Sequence, residues 1–192
     1  MDNQQPRFLK GIYRDIILNA KFGDGHLWKH PECRNYKVIF TSVTPELLES
    51  KIKMAPDLFR AGVRVVRKSG AKNCFKNSKT LYHLQSLVHQ DITEAKFIDK
   101  IDLVKFLSVT DFANWYLDDG GFIVRNDSKK YTPRFYLCLG DVCETEKKEK
   151  KFRKHIECIF GEEYGTIKLN GTNASNKNKI WYIPHSIGYL LV

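Results

Sequence analysis

A chain of 192 residues with 42% hydrophobic and 12% aromatic content can bury one sizeable core or two small ones. No apolar run approaches the roughly 20 residues that span a bilayer, and the start, Met1-Asp2-Asn3-Gln4-Gln5, has no secretory pattern, so a soluble intracellular protein without a membrane partner is expected. The five cysteines include no CxxC pair, which argues against a disulfide framework or a zinc site, while a formal charge of +10 points to a polyanion.

In chain order, apolar positions Ile12, Ile16, Leu18 and Phe22 predict a helix from Phe8 to Phe22 that stops at Gly23. Strands follow at His26–Lys29 and Tyr36–Ser42. Thr44-Pro45-Glu46 opens a second helix, with Thr44 as N-cap and Pro45 at the first helical position. Val63–Val66 and Thr80–Leu84 read as two more strands. The residues from about Leu87 to Val109 are too apolar for coil and predict a packed connecting helix.

The same order then recurs. A cap at Ser108 or Thr110 starts a helix that carries Phe112, Trp115 and Tyr116 and stops at Asp118-Asp119-Gly120-Gly121. Phe122–Val124 and Arg134–Leu139 are strands, and alternation in the second puts Arg134, Tyr136 and Cys138 on one face and Phe135, Leu137 and Leu139 on the other. Cys143–Phe160 is an amphipathic helix buried through Phe152, Ile156, Ile159 and Phe160; Tyr164–Leu169 and Ile180–Ile183 complete the copy.

Two features support a duplication. The only two Asp-Gly dipeptides, at Asp24 and Asp119, each close an apolar run and each follow an Asn, Asn19 or Asn114, at the same spacing. Lys79, Tyr82 and Ser86 recur as Lys179, Tyr182 and Ser186. The expected division is therefore a first unit over 1–87, a connection over 88–109 and a second unit over 110–192.

The helix-ending motifs, above all Trp115-Tyr116-Leu117-Asp118-Asp119-Gly120-Gly121, together with the repeated helix-strand-strand order, resemble the LAGLIDADG homing endonucleases in their single-chain, two-motif form. Gly23-Asp24-Gly25 keeps the first motif, with Lys21 where the family has an apolar residue. The resemblance implies an α+β fold of two αββαββ units related by pseudo-two-fold symmetry, whose antiparallel sheets form a DNA-binding saddle. It further implies a monomeric, magnesium- or manganese-dependent DNA endonuclease of the intron-homing type. Asp24 and Asp119 would hold the metal, and Lys79 and Lys179 would be the basic catalytic residues of the two active centres.

Charge placement agrees. From Leu58 to Gln90 there is no acidic residue, whereas solvated faces ordinarily mix signs. Expected DNA-binding residues are Arg34, Lys37, Arg60, Arg64, Arg67 and Lys76 in the first copy and Arg125, Lys129, Lys130, Arg134, Lys168 and Asn170 in the second. Two alternatives stand beside double-stranded DNA cleavage: an intron maturase that binds RNA, and a sequence-specific DNA-binding protein without cleavage. Retention of both carboxylates favours the nuclease, because a pure binder gains nothing from negative charge beside phosphates.

Overall fold

Gly11 divides the first predicted helix. The computed structural model, which describes residues 5–67, 79–127, 130–169 and 179–192, has a 3₁₀ turn over Arg7–Lys10 followed by α1 (Arg14–Phe22). A Cβ on Gly11 would lie 2.7 Å from Asp91 Oδ2 and 3.3 Å from the Phe8 carbonyl oxygen, so any larger residue at this turn would have to displace the Asp91 side chain. α1 buries every residue from Ile16 to Phe22, including Asn19 and Lys21.

The chain divides into two compact units, Met1–Ile98 and Asp99–Val192. The first continues through β1 (Gly25–Trp28), β2 (Lys37–Ser42), α2 (Pro45–Met54), β3 (Val63–Arg67), β4 (Leu81–Gln85) and α3 (Gln90–Lys96). Its antiparallel sheet has the order β1-β2-β4-β3. The second holds α4 (Lys100–Leu103), α5 (Val109–Asp119), β5 (Gly120–Asp127), β6 (Lys130–Gly140), α6 (Glu146–Phe160), β7 (Thr166–Leu169), β8 (Lys179–Ile183) and α7 (His185–Leu191). Its sheet repeats the order as β5-β6-β8-β7. The fold is α+β. Among the described residues no helix is long and apolar enough to cross a membrane.

The connecting stretch forms short pieces rather than one helix. α3 belongs to the first unit and α4 to the second, each opened by a side-chain cap, His89 and Asp99 respectively. Ser108 starts α5: its hydroxyl accepts from the Asp111 N–H at 3.2 Å while Asp111 Oδ2 accepts from the Ser108 N–H at 2.7 Å, a reciprocal box. α7 was not foreseen from the sequence. It packs against α5 and β6, and its Gly188 lies so close to the Phe135 ring that no side chain fits there.

Each sheet has a covered and an open face. In the first unit Val38, Phe40 and Leu84 are at most 1% exposed against the helices. Lys37, Ile39, Thr41, His83 and Gln85, alternating with or paired across from them, take the other side. In the second, Phe135, Leu137 and Leu139 point inward, as their alternation predicts. The core of that unit is aromatic. Trp181 is fully buried, with the rings of Phe112, Phe152 and Phe160 at 6.0, 6.0 and 5.7 Å, and its indole N–H donates to the Tyr164 carbonyl at 2.6 Å. Burial of an aromatic ring of this size is worth about 2–3 kcal/mol, and the bonded N–H avoids the cost of leaving a donor dry.

Candidate nucleic-acid interface

Both Asp-Gly pairs occur where a helix turns tightly into a strand. In the first unit the Gly23 N–H donates to the Asn19 carbonyl at 2.9 Å and closes α1, and Asp24 is exposed between α1 and β1. A Cβ on Gly25 would lie 2.5 Å from Ala20 Cα and 2.6 Å from the Phe40 ring, so the strand can return beside its helix only with glycine. In the second unit Asp119 is the last residue of α5, and a Cβ on Gly120 would run into the Tyr116 ring and carbonyl. Each carboxylate therefore sits at the negative end of a helix macrodipole, a poor place for an anion unless a cation joins it.

The two carboxylates differ in their surroundings. Asp119 Oδ2 accepts from Trp115 Nε1 at 3.2 Å, an i to i+4 contact along α5. Burial, and then the Asp119 charge, pushes the Cys138 thiol above its ordinary value. The position in α1 that corresponds to Trp115 is Ala20, which cannot make such a bond. Read from the sequence, Trp115 has a place in the motif but no role of its own; the structure makes it a hydrogen-bond donor to Asp119, and its spacing four residues before Asp119 was the available signal.

Several expected contacts lie on or beside the open faces. Lys37, Arg64 and His83 share the open side of the first sheet, where Arg64 pairs across from His83. Burial, then the charges of His26, Lys37 and Arg64, holds the His83 imidazole below its ordinary value. Arg60, Arg64, His83 and Gln85 line a cavity of about 220 Å³. Arg34 is exposed in the β1–β2 connection. In the second unit Arg134, Thr166, Lys168, Tyr182 and His185 line a cavity of about 410 Å³. Lys76, Lys129 and Asn170 lie outside the described residues, as do the side chains of Arg67, Arg125 and Lys130.

The lysine pair comes out differently from the sequence expectation. The ladders run Gly25 to Phe40 to Leu84 in the first sheet and Gly120 to Leu137 to Trp181 in the second. Leu84 thus corresponds to Trp181, whereas the repeated Lys-Tyr-Ser pattern matches it with Pro184. A shift by an odd number of residues exchanges the faces of a strand. Lys79 and Lys179 are not counterparts. Lys79 is exposed just ahead of β4, but Lys179 shares the helix-covered face with Trp181 and donates to Glu149 Oε2 on α6 at 2.5 Å. Burial opposes the charge of Glu149, yet the hydrogen bonds from Lys179 and Arg153 outweigh it and hold the carboxyl below its ordinary value.

Lys21 also has a structural job. Its buried ammonium donates to the Ala95 carbonyl at 2.5 Å and to the Ile98 carbonyl, tying α1 to the C-terminal end of α3, where a cation is favoured. The polar residue in the motif helix is thereby satisfied inside its own unit.

No protein-family model matches the sequence, and no curated protein does. Among solved structures, the homing endonuclease I-WcaI bound to its DNA recognition sequence matches over 98% of this chain and 82% of that chain, with a TM-score of 0.69 at 19% identity. A variant of I-DmoI in complex with its target DNA in the presence of manganese matches over 97% of this chain and 93% of that chain, with a TM-score of 0.54 at 13% identity. At such identities the likeness is one of architecture, and it agrees with the doubled strand order and the two helix-ending carboxylates: the chain has the LAGLIDADG homing endonuclease fold.

Proposed function

We propose that the chain is a site-specific DNA endonuclease that hydrolyses phosphodiester bonds with a bound divalent cation, magnesium or manganese. The observation that carries this reading is the repeated placement of a carboxylate at the negative end of a helix, directly before the first strand of a sheet whose other side is open. The neighbours' complexes with DNA support the choice of substrate.

Among the described residues no group of three His, Cys, Asp or Glu side chains could enclose a metal. That suits a hard cation of the magnesium type, which takes one or two carboxylates and completes its shell with phosphate oxygens and water. Asp24 would hold one such ion and Asp119 another, each serving one strand, and when bound the ion would neutralise charge on the scissile phosphate and acidify the attacking water. Trp115 fixes the rotamer of Asp119. Arg60, Arg64, Arg134 and Lys168 bind phosphates and release counterions. Lys79 keeps the role of a basic residue beside one active centre, while Lys179, bonded to Glu149, serves the core. With two units of unlike sequence in one chain, the protein acts as a monomer on a duplex that need not be palindromic.

The test is incubation with randomised duplex DNA and Mg²⁺, followed by sequencing of cut ends. Asp24→Asn and Asp119→Asn should each abolish double-strand cleavage and leave affinity unchanged or slightly raised, because a negative charge near phosphate is removed. Joint loss of binding and cleavage in the soluble, folded variants would refute the assignment.

A further inference from the structure

Among the described residues, the open face of the first sheet sets the large aromatic side chain of Trp28 beside Lys37, His83 and Gln85, with Ile39 between them. Trp28, the last residue of β1, pairs directly with Lys37 of β2, so both side chains stand on the same side as Ile39, His83 and Gln85. Trp28 is 37% exposed. Lys37 Nζ lies 4.6 Å from the indole centroid, and the His30 ring meets it edge-on at 5.9 Å. The same ammonium donates to Gln85 Oε1 at 2.8 Å. Three side chains from three strands are therefore assembled before any ligand arrives.

This assembly restricts what each member can read. A glutamine ordinarily recognises adenine by using its oxygen and its NH₂ together. Here the oxygen of Gln85 is engaged by Lys37, which leaves the NH₂ to donate outward. Lys37 has donors only. The two together offer donors to a base edge, and beside them Trp28 offers an apolar ring edge. In the major groove, thymine presents an acceptor, O4, next to a methyl group; guanine presents two acceptors and nothing apolar; adenine requires an acceptor in return.

Resting on the endonuclease reading above, the geometry points to Trp28, Lys37 and Gln85 as a thymine-reading cluster in the half-site bound by the first unit. Lys37 and Gln85 donate to O4, and Trp28 contacts the C5 methyl. Trp28 and Gln85 are specificity-determining residues, distinct from the cations that hold phosphates.

The experiment is selection of bound duplexes from a randomised library by the full chain in EDTA, so that binding is read without cleavage. Wild type and Trp28→Ala are compared. Wild type should select thymine at one position where Trp28→Ala, which keeps the donors of Lys37 and Gln85 but lacks the apolar ring, accepts thymine and guanine alike. In the selected duplex, deoxyuridine in place of that thymine should weaken wild-type binding about fourfold, the effect of withdrawing one methyl group from an apolar contact, and should not change binding by Trp28→Ala. Because the deoxyuridine arm uses unaltered protein, misfolding of the variant cannot imitate its result. Guanine or adenine selected by wild type at that position, a thymine-over-guanine preference retained in Trp28→Ala, or equal wild-type affinity for the deoxyuridine duplex would each overturn the cluster and leave the endonuclease reading standing. Failure of wild type to enrich any duplex would overturn both.

Discussion

Replacing Lys179 with methionine separates a structural lysine from a catalytic one. Glu149 and Lys179 are 20% and 12% exposed, and their bond is 2.5 Å long, so neither group has much water to fall back on. Arg153 donates to Glu149 Oε1 through Nε at 2.8 Å and Nη2 at 2.6 Å, whereas Lys179 serves Oε2. Lys179→Met therefore deprives one carboxylate oxygen and leaves the other bonded. Removing one partner of a fully buried pair costs about 3–5 kcal/mol, and a single hydrogen bond to a charged group about 1.5–3 kcal/mol. With Arg153 in place, the expected loss is about 2 kcal/mol, a fall in melting temperature of roughly 4–8 °C for a chain of this size. The assay is thermal unfolding of the free protein, set beside cleavage of saturating target DNA well below the melting point. Adding Glu149→Gln should recover part of the loss, with a coupling of at least about 1 kcal/mol between the two positions. A Lys179→Met protein that melts like wild type and yet no longer cuts would refute the reasoning and return Lys179 to the active centre.

Other outcomes follow from the same geometry. His83 has its folded pKa depressed below the ordinary 6.5, so the stability linked to it is present above that value and lost as pH falls below it. A bound phosphate opposes the depression, so DNA binding should take up a proton and strengthen as pH drops below 6.5, and His83→Gln should flatten that profile in a binding titration. Arg60→Ala and Arg64→Ala should each lower the slope of log affinity against log salt by about one unit, and slopes equal to wild type would remove them from the phosphate contacts. The fully buried Cys143 thiol, pushed up to about 12 by burial and then by the Glu149 charge, should resist alkylation until the protein unfolds, whereas exposed Cys158 should react at once; mass spectrometry of the labelled native protein distinguishes them.

The helix-ending motifs, the alternation of β6 and the amphipathic face of α6 were legible because each is a local periodicity with one physical cause. Ladder register was not. It depends on hairpin length and on the irregularity between Cys138 and Gly140, and neither leaves a mark in residue spacing. The Lys-Tyr-Ser repeat misled for that reason, matching residues that stand on opposite faces. Gly11 and Gly188 marked close approaches to Asp91 and to Phe135, contacts between distant stretches of chain that local periodicity cannot foresee. The Trp115 to Asp119 bond could have been read from helical spacing, since residues four apart are neighbours on one helix face.

The two hairpins that follow the motif helices are unequal. β1 and β2 pair at four positions, from Gly25 to Trp28, whereas β5 and β6 pair at eight, from Gly120 to Asp127. At about 3.3 Å per residue, the shorter ladder runs for roughly 13 Å and the longer for roughly 26 Å. On a duplex that rises 3.4 Å per base pair, those lengths are about four and eight steps. On the endonuclease reading, the first hairpin would span a shorter stretch of its half-site than the second, and mutational drift in the target would be tolerated sooner in the half-site met by the short hairpin than in the one met by the long hairpin.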